Sequence, residues 1–318
     1  MAKLEEPGAR QPKPISEAIA AFHASVAGHA LATRTKYQRV LRFFETLIGS
    51  RGLRSIDEVG VEDVDAYHSS RTISSVTWLK ELEILRQFFQ FCVVRKWADE
   101  NPAAAVDKPK NLKPAEVVPY TREEVVRILA ACEAIGRTSY ERLRARATIL
   151  LLRYTALRIA DVALLAKDRV REREINVRTM KTGQCVWLPV HPELQAALDA
   201  LPVPRGSAQS GYFFWSGNGA RESCVRAAER TLSAVFAKSE VVGAHAHRFR
   251  HTLATELLEK GWTYEDVAEV LGNSAAIVRK HYAKWSRGRQ DRLTNMMQSV
   301  FLAQNWYTPE KQPMSAVN

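Results

Sequence analysis

The chain has 318 residues, of which 46% are hydrophobic and 25% charged, and its formal net charge is +11. That length exceeds one ordinary domain, and the balance is that of a globular protein rather than a disordered or collagenous one. No apolar run approaches the roughly 18 residues of a membrane span, and Cys92, Cys132, Cys185 and Cys224, without a C-x-x-C pair, exclude a zinc knuckle and a disulfide framework.

The excess of Lys and Arg favours a polyanionic partner, nucleic acid first, because each phosphate they neutralise releases condensed counterions. The opening MAKLEEPGARQPKP lacks the apolar core of a signal peptide, so the chain is expected in the cytoplasm, associated with the nucleoid. Residues 1–14 are polar and Pro-rich and read as a disordered leader. An Ala-rich helix is expected from Ile15 to His29. Next, TRTKYQRVLRFFETLIG places Tyr37, Leu41, Phe44 and Ile48 on one helical face, ended by Gly49 and Gly52, and leaves Arg34, Lys36, Arg39 and Arg42 outside. VEDVDAYHSSR gives a short helix, and SVTWLKELEILRQFFQFCVVRKW a longer one with Leu79, Leu82, Leu85, Phe89 and Cys92 inward. These make a four-helix domain over residues 15–103, stopped by Asn101-Pro102.

Residues 104–120 read as a linker, punctuated by Pro109, Pro114 and Pro119 and made basic by Lys108, Lys110 and Lys113. Thr121 with Glu124 forms a capping box that opens a helix and a second domain. From Tyr140 a helix is expected through the apolar ATILLL into Arg158. EINVRT and CVWLPV then read as two strands around MKTGQ, and HPELQAALDAL and RESCVRAAERTLSAVFAK as helices. No internal repeat is visible, and the length is expected to leave no room for an additional arm-type DNA-binding domain before the four-helix unit.

From His245 to Trp285 the sequence HAHRFRHTLATELLEKGWTYEDVAEVLGNSAAIVRKHYAKW packs ionisable groups onto helical spacing. His247 and Arg250, three apart, share one helical face, where both can meet a single anion. The pattern His-x-x-Arg-His, then Leu-Gly-x-Ser, then Tyr282 nine residues after the x, resembles the C-terminal signature of the tyrosine recombinases, the phage integrase family. Arg158 in RYTALRIADVALL and Lys181 in RTMKTGQCVWLPV resemble the family's first arginine and its hairpin lysine. One departure is Asn273, which stands where most members have His or Trp.

The resemblance implies a mainly α fold with a small β-sheet (α+β): an N-terminal four-helix core-binding, SAM-like domain and a C-terminal tyrosine-recombinase catalytic domain over residues 121–288. It implies site-specific DNA strand exchange through a 3′-phosphotyrosyl intermediate. Tyr282 would be the nucleophile, and with an ordinary pKa of about 10 it needs help. Arg158 and Arg250 would clamp the non-bridging phosphate oxygens, and Lys181 would protonate the 5′-hydroxyl leaving group. His247 would exchange a proton with the tyrosine or bond the phosphate, with His251 and Asp161 in support. Asn273 can bond a phosphate oxygen but cannot exchange a proton at neutral pH. Arg34, Lys36, Arg39 and Arg42 mark a DNA-contacting face.

No cofactor is expected, and no metal: His247 and His251 have the spacing of a helical zinc pair, yet Arg248 and Arg250 between them oppose a dication. The implied partner is double-stranded DNA with inverted-repeat arms, bound by a dimer per site and a tetramer in synapsis, with no membrane involved. QDRLTNMMQSVFLAQNW, within residues 289–306, sets Leu293, Met296, Met297, Val300 and Phe301 on one stripe, suited to exchange between protomers; residues 307–318 read as a disordered tail. Two other readings share these side chains. One is a type IB topoisomerase or telomere resolvase, and the other, suggested by Asn273, is a DNA-binding assembly protein with an attenuated centre.

Overall fold

Each helix of the chain's first part hides one stripe, and the stripes meet in a core of aromatic rings. The computed structural model describes residues 12–110, 118–204, 206, 210–285 and 287–303, with backbone alone for 287–290, 302 and 303. Most of the expected leader, residues 111–117 of the expected linker and the tail after residue 303 lie outside the described residues. Two units divide between Ala115 and Glu116. No helix among the described residues is long and apolar enough to cross a membrane.

In the first unit, α1 (Ile15–Ser25), α2 (Leu31–Ser50), α3 (Val61–Ser69) and α4 (Ser75–Val94) bury Phe22, Phe44, Tyr67, Trp78, Phe88 and Phe89. Phe44 meets Tyr67 and Phe89 edge to face at 5.5 and 5.7 Å, the arrangement that ring quadrupoles prefer. Tyr37, Leu41, Phe44 and Ile48 are all buried as their spacing requires. In α4 the inward face is centred on Trp78, Leu82, Leu85 and Phe89, with Phe88 also buried; Leu79 is only half-buried. Glu81 is buried too, and its carboxylate is paired with Tyr67 Oη at 2.8 Å and Arg71 Nη2 at 3.2 Å. Arg39 and Arg42 are exposed, while Arg34 and Lys36 are half-buried.

Several boundaries differ from those read in the sequence. The ordered chain reaches back before Ile15, since Pro14 bridges to Ser55. Gly49 lies inside α2, which runs to Ser50. Asn101-Pro102 does not stop the unit: Asn101 caps one further turn, α5 (Pro102–Ala105), and Arg86 donates to the carbonyls of Ala103 and Val106, so the packed chain continues to Val106. Pro at the first helical position explains this, because the N–H it lacks has no helical partner there anyway.

The second unit is organised around α7 (Ser139–Thr155), whose residues from Ala147 to Leu152 are all buried, as in a helix packed on every side. Around it lie α6 (Arg122–Glu133), α9 (Pro192–Asp199), α10 (Arg221–Ser239) and α11 (Ala246–Glu259). The Thr121–Glu124 capping box is formed in both directions. Between α8 (Ile159–Ala163) and α9 lies an antiparallel sheet in the order β1 (Val170–Arg171), β2 (Glu174–Arg178), β3 (Cys185–Pro189). Opposite partners Ile175 with Leu188 and Val177 with Val186 face the core. The short β1 was not legible in the sequence. After α11 come α12 (Tyr264–Leu271), α13 (Ala275–Tyr282) and α14 (Arg287–Ala303). The chain is thus mainly helical with one small sheet, the fold class its sequence implies. Of the four cysteines, Cys92 and Cys132 are buried, whereas Cys185 is exposed.

Candidate active site

Helix α7 stops at Thr155 rather than running into Arg158. Ala156 turns left-handed at φ 52°, and Arg158 becomes the capping residue of α8. This break swings the Arg158 side chain toward the turn after α12, where its Nη2 donates to Asn273 Oδ1 at 3.0 Å. Its Nη1 is buried and meets no acceptor among the described residues. A buried donor left over in this way is a place for an incoming acceptor.

One turn on, Asp161 is 4% exposed. Its Oδ1 accepts the Met180 N–H at 2.8 Å, which fastens the β2–β3 turn to α8. The other end of that turn is fastened too: Thr182 Oγ1 donates to Gly272 O at 3.1 Å. Lys181, exposed at the tip, lies between these two ties. Gly272 is required twice over, since φ is +56° and an added Cβ would stand 3.2 Å from Thr179 Cγ2 and 3.3 Å from Val186 Cγ2. Spacing alone showed neither tie, because each joins residues far apart in the chain.

Helix α11 supplies His247, Arg250 and His251. Arg250, 3% exposed, donates through Nη1 to Ala156 O and through Nη2 to Leu271 O. These bonds use two of its five N–H groups. The imidazole in contact with Tyr282 is His251, whose Nδ1 lies 2.8 Å from the phenolic oxygen, whereas His247 sits edge-on to His251 with ring centroids 4.8 Å apart. Tyr282 itself is 3% exposed at the end of α13, in a cluster with Ala254, Leu258, Val267, Leu271 and Val278.

Burial first, and then the Arg158 charge, push Arg250 down to about 10. Burial also raises the Tyr282 phenol above its ordinary value, with Arg250 opposing. His247 and His251 are each pushed down to about 4, chiefly by burial and further by neighbouring positive groups. Two guanidinium groups and two neutral imidazoles in a desolvated recess lack one thing, an anion. Among the described residues, no group of three or more His, Cys, Asp or Glu could hold a metal ion.

The two histidines yield a pH prediction. Below the ordinary value of 6.5 the unfolded chain takes up protons that the folded chain refuses until about pH 4. The fold should therefore lose stability as pH falls from 6.5 toward 4 and be indifferent to these groups above that window. Melting temperatures across that range, compared with those of His247→Gln, are expected to show a shallower loss in the variant; equal slopes would refute it.

Comparison with known proteins agrees with this arrangement. The family model described as "Phage integrase family" matches residues 120–288, more than half of the chain. Tyrosine recombinase XerD of Caulobacter vibrioides is 27% identical over 237 residues, covering 71% of this chain and 77% of its own. Tyrosine recombinase XerC of Alcanivorax borkumensis is 29% identical over 245 residues, covering 75% and 78%. Among solved structures, a lambda integrase dimer bound to a COC′ core site superposes with a TM-score of 0.67 at 14% identity, covering 95% of this chain and 81% of that one. The Tn1549 transposon integrase, in complex with a circular intermediate DNA, gives 0.64 at 17% identity, covering 89% and 100%. The chain therefore belongs to the phage integrase family, and it is a tyrosine-type site-specific recombinase.

Proposed function

We propose that the chain cuts and rejoins double-stranded DNA through a covalent 3′-phosphotyrosyl link at Tyr282, acting on inverted-repeat arms as a dimer per site and a tetramer in synapsis. The observation that supports this most is the 2.8 Å contact of Tyr282 Oη with His251 Nδ1 beside Arg250. In the Nε2–H tautomer, His251 Nδ1 accepts the phenolic proton as Oη bonds to phosphorus. The 5′-oxygen leaves with a proton from Lys181. Rejoining is the same step run backward, and the phosphotyrosyl ester keeps the bond energy without ATP.

The spare donor of Arg158 and the unused N–H groups of Arg250 would meet the non-bridging oxygens, with Asn273 holding Arg158 and His247 beside the phosphate. A negative phosphate raises His251 basicity from its low resting value, so the base strengthens only when substrate is present. Asn273 in this reading orients a guanidinium, and proton exchange is left to His251 and Lys181. Arg34, Lys36, Arg39 and Arg42 would bind phosphates with the first unit, and the working place is the cytoplasm, on the nucleoid. The relatives and neighbours above carry the names recombinase and integrase. That favours strand exchange over topoisomerase, telomere-resolvase or assembly-only readings. A lambda integrase tetramer bound to a Holliday junction shares this fold, which supports oligomeric action here.

The test is labelled DNA flanking this gene, nicked near each inverted repeat and run on denaturing gels with the full chain. A protein-bound 3′ end with a free 5′-hydroxyl is expected. Binding without any adduct on such DNA would leave the assembly-only reading standing.

Helix α14 bears on assembly. Among the described residues Met296, Met297, Val300 and Phe301 are 57%, 57%, 51% and 63% exposed, whereas Leu293 of the same stripe is half-buried. Truncation after Gly288 should leave single-arm binding nearly intact and sharply reduce cooperative two-arm binding and recombination, as read by mobility shift. A truncated protein that is insoluble, from a parent that stays monomeric on DNA, would show that α14 packs within its own chain.

A further inference from the structure

Helix α11 starts without a side-chain cap of its own at His245. Its first-turn donors need partners, and a residue distant in sequence supplies one. The Tyr120 phenol accepts the His245 N–H at 2.8 Å and donates to His245 O at 3.0 Å. The Tyr120 backbone N–H donates to Thr252 Oγ1 at 2.8 Å, two turns further along α11. Its ring packs at 4.6 Å between centroids on Phe249 and lies 4.2 Å from the Arg248 guanidinium carbon.

Arg248 completes the attachment. It follows His247 directly and is 7% exposed. It donates to Val118 O at 3.0 Å, Pro119 O at 3.2 Å, Val242 O at 3.0 Å and Glu124 Oε2 at 2.8 Å. Glu124 in turn accepts the Thr121 N–H at 2.9 Å. A buried guanidinium with four acceptors cannot shift without stranding a charge, so the tie is stiff. Val118–Tyr120, where the chain enters the second unit, is therefore bound to the turn that carries His247, Arg250 and His251.

We propose that Tyr120 and Arg248 are positioning residues for strand cleavage. Through them the strap Val118–Tyr120 sets the first turn of α11 against Tyr282. The proposal rests on the reading that α11 supplies the groups that act at the phosphate.

The full chain carrying Tyr120→Phe, Arg248→Lys or Arg248→Met is compared with the unaltered protein in four measurements. These are single-turnover cleavage of a nicked site at saturating protein, affinity for one arm, melting temperature, and the titration of the His251 ring by NMR. The groups facing that ring are His245, His247 and Arg250 on α11 and His281 and Tyr282 on α13, so the ring signals of all four histidines are assigned first. Tyr120→Phe should slow cleavage about tenfold, as expected for a displaced reacting group, with arm affinity unchanged. Its His251 midpoint should rise from about 4 toward the ordinary value as the loosened turn admits water. Arg248→Lys should cleave faster than Arg248→Met yet below the unaltered rate, because a point charge cannot reach four acceptors. If Arg248→Met fails to fold, Tyr120→Phe, which loses one oxygen atom, decides alone. Full-rate cleavage with an unmoved His251 midpoint overturns the proposal; so does a rate loss matched by the loss of folded protein on melting. If the unaltered protein makes no adduct, the proposed function fails, while the His251 titration still tests the strap.

Discussion

Tyr282→Phe is expected to abolish the covalent protein–DNA adduct while leaving site binding within a few fold. The substitution removes one oxygen and keeps the ring, and that ring is buried among Ala254, Leu258, Val267, Leu271 and Val278. Folding should therefore be little disturbed. The single bond lost is the one to His251 Nδ1, and an imidazole freed of a neutral partner costs on the order of 1 kcal/mol. Chemistry, by contrast, loses the proposed nucleophile outright. Denaturing gels with labelled nicked DNA check this. An adduct that persists would move the nucleophile to another tyrosine, and Tyr264, buried in the same cluster, is the first to examine.

Arg158→Ala and Arg250→Ala should each slow cleavage by roughly two to three orders of magnitude, the usual loss for one donor to a developing charge. The two variants should differ in stability, however. Arg158 bonds Asn273 alone among the described residues and keeps a spare donor, so its removal should barely change melting. Arg250 joins Ala156 O at the end of α7 to Leu271 O at the end of α12, and losing it uncovers two buried carbonyls at about 1–3 kcal/mol each. Arg250→Lys separates the roles, since an ammonium restores charge without the planar fork. Single-turnover rates and melting curves together decide. Cleavage by Arg250→Lys at the full rate would falsify the two-pronged clamp.

Helical faces were readable from the sequence wherever a stripe of apolar residues repeats. The α2 face of Tyr37, Leu41, Phe44 and Ile48 is an example, and so is the β2–β3 hairpin, whose alternation puts Ile175 and Val177 inward. Local spacing also put His247, Arg250 and His251 together. It did not say which imidazole meets the tyrosine, because both histidines lie on one face and the choice depends on where α13 docks. Arg158 looked helical because ATILLL continues a helical pattern; the left-handed Ala156 that ends it carries no Gly or Asn signal. Asp161 read as a supporting residue beside Arg158, but its acceptor role toward Met180 N spans 19 residues and was not legible. Arg248 read as one more cation in a chain with 46 Lys and Arg, since nothing local reveals that three of its four acceptors are 124 to 130 residues away.

The depth of Tyr282 has a consequence for the genome in which such an enzyme works. A chain of charge +11 meets far more irrelevant DNA than cognate sites, and every phosphodiester it touches is a chemically adequate substrate. At 3% exposure the phenol stands back from any backbone that merely brushes the surface. Reaching phosphorus requires an outward movement of α13 or an inward seating of the strand, and only extensive, well-fitted contacts can offset that cost. Under the role proposed for Tyr282, accidental nicking is thereby held down by the resting architecture itself, before any base is read.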